Sequence, residues 1–557
     1  MNIVDIEKIV LSMSDEQLVA QVLNYNIEAK DTLENTYEEL TRIHPGGIYY
    51  GDFNNCQTMD ALEKLLTVHS KYQAIASEKC GIPVLATTDI EHGPGAFCSL
   101  FPSIPFPMAW GSANDEKLIE RAGELTSMIS RKLGLHFPLA PVVDLNINFQ
   151  NPVVNIRAIS DDPERVARVA GAYQRGIQKH GYLASCLKHF PGDGVDDRNQ
   201  HFMTTINRLS REEWMATYGK IYRRLIEEGA AGIMVAHISA PAFEGCENRP
   251  NEALPGALSK KLMTDLLKGE LGFNGCIVSD AMSMIGSVAV SSLENLAIDF
   301  INAGGDMVLF PEKYDFERLL DALRDGRIKR DRLIDAAKRV LRLKVTARCF
   351  EEDAVQKELE KYSFAELSAE LSDISQQIAD KSIKVLRDRK NVLPLPPREK
   401  AEKGRALVIT LWNGHFNAQP TGKELAVLKE EIERRGYSVD YLTNAKHKLI
   451  HETMNDYDFI VVGIDMSCLN YSGASMRMNW NVMMTFWRGY IFEHPRLVVV
   501  SFGDPYRLYD MPYLSNYINA FGDGEQSQKA VAKVIFGEIE AQGKNPVRLE
   551  GFFERED

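Results

Sequence analysis

Residues 183–194 read Leu183-Ala184-Ser185-Cys186-Leu187-Lys188-His189-Phe190-Pro191-Gly192-Asp193-Gly194, and His201 follows seven residues later. An apolar run closes on a Lys-His pair and passes into a glycine-bracketed loop. Lysine is seldom buried without a partner, and glycines let a backbone approach a ligand closely. The stretch therefore reads as a strand delivering polar groups to a site. Similar short β-rich runs lie at 19–23, 47–50, 84–88, 139–143, 232–236, 276–279 and 307–310, which with 183–187 makes eight. Amphipathic helical segments separate them, among them 115–133, 163–180, 211–228, 259–271 and 292–303. Strands alternating with helices imply parallel βαβ units, and eight within the first 345 residues predict an α/β fold with an N-terminal (β/α)8 TIM-type barrel.

The residues just beyond these runs are Asp89, Asp144, Lys188 with His189, His237 and Asp280. In a barrel the carboxyl ends of the strands share one face, where active sites sit. A single Asp after a strand can equally cap the next helix. Five consecutive strands ending in charged or imidazole groups point to a site.

Beyond residue 344 the pattern changes. Residues 351–378 are acidic and helical, and Arg387-Asp-Arg-Lys-Asn-Val-Leu-Pro-Leu-Pro-Pro397 forms a proline-bearing crossing. Continuous apolar runs at 406–411, 459–464 and 497–502 then suit a sheet covered on both faces. The expected organisation is a catalytic barrel over 1–345, a linker with a helix over 346–385, and a three-layer α/β/α sandwich over 386–557.

At 557 residues the chain is too long for one hydrophobic core. A net charge of −14 argues against nucleic acid or an anionic membrane as partner. The eight cysteines (56, 80, 98, 186, 246, 276, 349, 468) are scattered without CxxC spacing, as expected of reduced thiols. The opening MNIVDIEKIVLSMSDEQLVAQ lacks a basic region followed by a long apolar core, and no run of about 18 apolar residues occurs. These features predict a cytoplasmic protein. No HExxH, DxDxDG or Walker pattern appears, so neither metal nor cofactor is expected. The sequence does not set the oligomeric state.

Asp280 ends the apolar run of Cys276-Ile-Val-Ser-Asp280. A rigid, partly desolvated carboxylate there suits attack on a carbon centre, as in retaining glycosidases. For the residue alone, a helix cap or an ion pair is the simpler account. His201 lies in a polar segment, Val195-Asp-Asp-Arg-Asn-Gln-His201, with no periodicity to make it a core residue. An imidazole can give and take a proton near neutral pH.

Lys-His-Phe-Pro-Gly-x-Gly with a later His resembles the signature of family 3 glycoside hydrolases, and more narrowly their β-N-acetylglucosaminidase branch. Asn151-Pro-Val-Val-Asn-Ile-Arg157-Ala with Asp161-Asp162-Pro163, Val278-Ser-Asp280, Ala236-His237-Ile238 and Ala303-Gly-Gly-Asp306 are similar to further segments of that branch. The chain after about residue 370 resembles the sandwich domain of two-domain members. The resemblance implies a retaining exo-hydrolase that removes terminal β-linked N-acetylglucosamine from small glycans such as peptidoglycan or chitin fragments. Asp280 would be the nucleophile and His201 the general acid/base. Asp89, Arg157, Lys188 and His189 would bind the sugar hydroxyls, with His237 behind them. The partner implied is a small carbohydrate, and no cofactor is needed.

Three positions depart from the branch. Asn199 stands where it carries an Asp forming a dyad with the catalytic His, although Asp196 or Asp197 could take that part in a different loop fold. Asp89-Ile-Glu91-His92-Gly93-Pro94 lacks the Arg that usually follows, and Ala281 replaces a second Asp after the nucleophile. Three alternatives follow: a β-glucosidase-type exo-glycosidase, a phosphorylase that uses phosphate as acceptor, and a weakly catalytic sugar-binding relative.

Overall fold

A computed structural model describes residues 3–27, 40–51, 56, 58–396, 404–412, 421, 423–466, 478 and 480–557. The chain forms two compact units interleaved in sequence. One comprises Met1–Ile104, Ile119–Leu145 and Pro163–Ser372, the other Pro105–Leu118, Asn146–Asp162 and Asp373–Asp557. Segments 105–118 and 146–162, which follow barrel strands, cluster with the second unit.

The first unit holds strands β1 (Leu23–Ile27), β2 (Gly47–Tyr50), β3 (Leu85–Thr88), β4 (Phe137–Pro138), β5 (Cys186–Phe190), β6 (Thr205–Ile206), β7 (Gly232–Val235), β8 (Ile238–Ser239), β9 (Cys276–Ser279) and β10 (Val308–Leu309). β10-β1-β2-β3-β4 form one parallel sheet and β5-β7-β9 another, while β6 and β8 pair apart from them. Parallel bridges at Val142–Lys188 and Val278–Met307 join the two sheets into a closed ring of eight strands. The barrel read from the sequence is therefore present. Its interior is filled by Leu85, Phe137, Leu139, Cys186, Met234, Val278 and Met307. Gly232 makes room there, since a Cβ on it would stand 2.4 Å from the Phe137 ring.

Several elements differ from expectation. Residues 19–21 end a helix, Asp15–Gln21, and β1 starts at Leu23. The cause is a capping box, with Ser14 Oγ accepting from Gln17 N at 3.2 Å and Gln17 Oε1 accepting from Ser14 N at 3.0 Å. The expected strand at 139–143 shrinks to Phe137–Pro138 with a bridge at Val142, because Pro138 and Pro141 have no N–H for a ladder. The fifth strand lies three residues later than expected, so Lys188 and His189 are strand residues. The segment 211–228 is two helices, Arg211–Ala216 and Tyr218–Glu227, 259–271 is a π-helix over Lys261–Glu270, and 351–378 becomes Glu352–Leu359 and Phe364–Ser382.

In the second unit β11 (Lys384–Asp388), β12 (Gly404–Trp412), β13 (Tyr437–Thr443), β14 (Phe459–Asp465), β15 (Leu497–Ser501) and β16 (Asn516–Asn519) form a sheet ordered β11-β16-β15-β14-β12-β13. Only β11 runs antiparallel to its neighbour. Leu407, Ile409, Ile460, Val462 and Val499 face one apolar layer, while Ala406, Val408, Val461, Val498 and Val500 face the other. That period of two buries both faces and yields the three-layer sandwich.

Lys344 is fully buried in the first unit, its Nζ donating to Gln21 Oε1 at 2.7 Å. Burial brings its pKa down to about 7, with Cys349 opposing. The unfolded chain holds this proton up to about pH 10.4. Between pH 7 and 10 it therefore binds more protons than the folded chain, and stability rises with pH by up to about 1.4 kcal/mol per unit from this group. Lys344→Met is expected to flatten that slope in denaturant titrations at pH 7.5 and 9; an unchanged slope would refute it.

No helix among the described residues is long and apolar enough to cross a membrane. None of the seven cysteines among them is in a disulfide, and Cys468 lies outside the described residues.

Candidate active site

The polar groups at the carboxyl ends of β3, β5, β7 and β9 converge within the barrel unit. Lys188, on β5, is 2 % exposed and needs partners at that depth. It has two: Asp89 Oδ1 and Glu91 Oε1, each 2.7 Å from Nζ. Asp89 Oδ2 also accepts from the Tyr49 hydroxyl at 2.8 Å. The Asp89 side chain remains 49 % exposed, so it is the most accessible of these three ionised groups.

His189 is aimed by Asp144, which has no exposed surface. Asp144 Oδ2 accepts from His189 Nδ1 at 2.6 Å, and Oδ1 accepts from His189 N at 3.2 Å and Asp193 N at 2.8 Å. Such a partner fixes the ring and its tautomer, directing Nε2 away from the carboxylate. The same carboxylate holds the root of the loop that carries His201.

That loop is tied internally. Asp196 accepts from the Arg198 guanidinium and, at 2.8 Å, from Ile206 N. Gly194 N donates to Asp193 Oδ1, and Gln200 Nε2 donates to Asp193 Oδ2 at 3.3 Å. Gly192, at φ +117°, lies against the Tyr218 ring, 2.3 Å from where a Cβ would be. This glycine is thus required by close packing, beyond the loop freedom read from the sequence. Asn199 is 1 % exposed, and its Oδ1 accepts from His201 Nδ1 at 2.7 Å and from His201 N at 3.0 Å. Asn199 therefore occupies the orienting position, and Asp196, engaged elsewhere, does not substitute for it. With Nδ1 held as a donor, proton exchange falls to Nε2.

Asp280 follows β9, its Oδ1 accepting from Ala281 N at 2.8 Å. Burial alone would raise its pKa. The nearby His189, His237 and His201, with the Ala281 N–H, outweigh that and hold the carboxyl below the usual Asp value. An ionised carboxylate ringed by imidazoles is suited to nucleophilic attack. His237 is kept below the ordinary histidine pKa by burial, against the pull of Asp280, and its Nε2 donates to Ala281 O at 2.9 Å. It thus braces the backbone beside Asp280.

Arg157 belongs to the second unit, in the turn Asn155–Arg157, where Nη1 donates to Val153 O at 3.2 Å. Asp306 is held in an ion-pair cluster of its own. It accepts from Lys268 at 2.9 Å, from Arg332 and, at 2.9 Å, from Ile277 N, fixing β9 in place.

Residues 14–343 match the glycosyl hydrolase family 3 N-terminal domain. The chain belongs to glycosyl hydrolase family 3. Over 530 residues this family 3 enzyme is 31% identical to a β-N-acetylglucosaminidase/β-glucosidase of Cellulomonas fimi, covering 91% of this chain and 89% of that one. It is 30% identical over 297 residues to a β-hexosaminidase of Methylobacillus flagellatus, covering 51% and 79% of the two chains. Among solved structures it resembles a β-glucoside phosphorylase bound to 2FGlc, with TM-score 0.84, 28% identity and coverage of 98% and 96%. A family 3 β-N-acetylglucosaminidase from Paenibacillus sp. str. FPU-7 shares the fold, with TM-score 0.77, 24% identity and coverage of 97% and 99%.

Three residues to which sequence reasoning assigned no role join these polar groups: Tyr49, Glu91 and Asp193. Asp144 stood out by its place after a barrel strand, without a role assigned to it. Tyr49, inside a short apolar strand, had no such signal. Lys188→Met would leave Asp89 and Glu91 without their cation. It is expected to lower kcat/KM on an aryl glycoside by roughly 10–10²-fold, since a hydrogen bond to a charged group is worth about 1.5–3 kcal/mol. An effect below threefold in a folded variant would remove this ion pair from substrate binding.

Proposed function

We propose that this family 3 enzyme is a retaining exo-glycosidase that removes terminal β-linked N-acetylglucosamine from small glycans, such as peptidoglycan or chitin fragments, in the cytoplasm. The observation that carries the reading is the ionised Asp280 amid three histidines, one of them, His201, oriented through Nδ1 by Asn199. An Asp280 oxygen attacks the anomeric carbon as the glycosidic C–O bond breaks, and His201 Nε2–H gives its proton to the departing oxygen. Water then attacks the same carbon, His201 takes a proton from it, and the ester to Asp280 is cleaved. Asp89, Lys188 and His189 bind the sugar hydroxyls with charge-assisted hydrogen bonds. The test is mass spectrometry after incubation with an activated 5-fluoro glycoside. A label on the peptide containing Asp280 is expected, and a label elsewhere would refute the assignment. p-Nitrophenyl N-acetylglucosaminide and p-nitrophenyl glucoside, compared side by side, identify the sugar.

Phosphorolysis is a second reading, favoured by the likeness to a β-glucoside phosphorylase over 98% of this chain. A neutral imidazole also repels an incoming phosphate less than a carboxylate would. Sugar 1-phosphate formed in phosphate buffer would establish it, and free sugar alone would exclude it.

A further inference from the structure

We infer that the leaving-group side of the site is shaped for an apolar alcohol, with Phe202, Met203 and Ile285 as its wall. The inference rests on the glycosidase reading and narrows it, favouring β-glycosides of apolar alcohols over chitin or peptidoglycan fragments, whose leaving group is a second sugar. The three side chains are 42 %, 38 % and 47 % exposed. They sit on two loops that adjoin each other, one after β5 carrying His201 and one after β9 carrying Asp280.

The contacts between these loops are explicit. Phe202 N and Met203 N both donate to Asn199 O, at 3.1 and 3.3 Å, closing a tight turn around His201. Ile285 N donates to His201 O at 3.4 Å, and Thr204 Oγ1 donates to Gly286 O at 3.0 Å. A Cβ on Gly286 would stand 2.8 Å from His237 Cβ and 3.0 Å from Gln200 O, so the absence of a side chain there lets the loops meet. Val290 and Leu293, each 46 % exposed, follow further along the second loop.

Single exposed apolar side chains are ordinary, whereas several on adjoining loops mark a contact surface. The place of this one determines its occupant. A group that protonates the glycosidic oxygen stands on the leaving-group side of that bond, so its flanking residues meet the aglycone. The charged groups suited to sugar hydroxyls, Asp89, Lys188 and His189, come from β3 and β5 instead. A second sugar in this place would need comparable hydrogen-bonding groups, and the wall offers aromatic, thioether and aliphatic surface.

The test compares hexyl and methyl β-glycosides, whose alcohols have similar acidity and demand the same proton. The β-glycosyl fluoride, which has no organic aglycone, serves as reference, and both the N-acetylglucosamine and glucose series are run. The hexyl glycoside is expected to exceed the methyl glycoside roughly tenfold or more in kcat/KM, since a few buried methylenes suffice for that factor. In Phe202→Ser/Ile285→Ser that ratio is expected to fall to about twofold or less. A hexyl-to-methyl ratio near one in the wild type, or a ratio that survives the double substitution, would overturn the inference. If the double variant does not fold, the wild-type ratio decides. No fluoride release in either series would instead overturn the glycosidase reading, and this inference with it.

Discussion

Asp280→Gly is expected to lower kcat on an aryl β-glycoside by on the order of 10⁴-fold or more, the scale seen when a catalytic nucleophile is removed. The charged neighbours that act most strongly on Asp280 are imidazoles, and His237 is committed to Ala281 O. The vacated space would admit a small anion in the carboxylate's place. Azide is therefore expected to restore turnover of the activated substrate and to leave a glycosyl azide of inverted configuration. Near-normal turnover without azide, in a variant that keeps its fold, would remove Asp280 from the nucleophile's role.

Asn199→Asp is expected to raise turnover, and the gain should grow as the leaving group becomes a stronger base. Asn199 Oδ1 already accepts from His201 Nδ1, so the ring orientation is in place. What an amide lacks is charge to keep the ring protonated, as it must be to give its proton to the departing oxygen. The reverse change in a serine protease triad costs about 10⁴ in turnover, much of it through the wrong tautomer, which sets an upper guide here. A gain of about tenfold or more is expected with alkyl glycosides, and little with a fluoride that needs no proton. The carboxylate also favours the protonated ring, so the alkaline limb of kcat/KM should move to higher pH. An unchanged or lower rate with alkyl glycosides would sink this reading of position 199.

The barrel was legible because eight short apolar runs alternate with amphipathic helices, a pattern few other architectures produce. Strand ends were less so. Residues 19–21 are as apolar as a strand, yet the Ser14–Gln17 box turns them into the end of a helix. Residues 139–143 look like a strand until the prolines remove the donors a ladder needs. In the sandwich, β13 was overlooked because its exposed positions interrupt the apolar run, and β11 and β16 because each is short. In the site, Lys188, His189, His201 and Asp280 stand out as polar groups in apolar or glycine-rich settings. Their partners do not, because pairing Lys188 with Glu91 or His189 with Asp144 depends on the ring of strands bringing distant segments together. That two compact units would interleave was likewise hidden, since 105–118 and 146–162 look like ordinary connections.

Asp144 holds both the His189 ring and, through Asp193 N, the start of the His201 loop. Any small displacement of this carboxylate is passed to both in the same direction. Such a common-mode shift leaves the spacing between the His189 imidazole and the loop root nearly unchanged, much as two instruments on one optical bench stay aligned when the bench moves. Thermal motion of the strands would then blur where a ligand sits more than it blurs the distance between the groups acting on it.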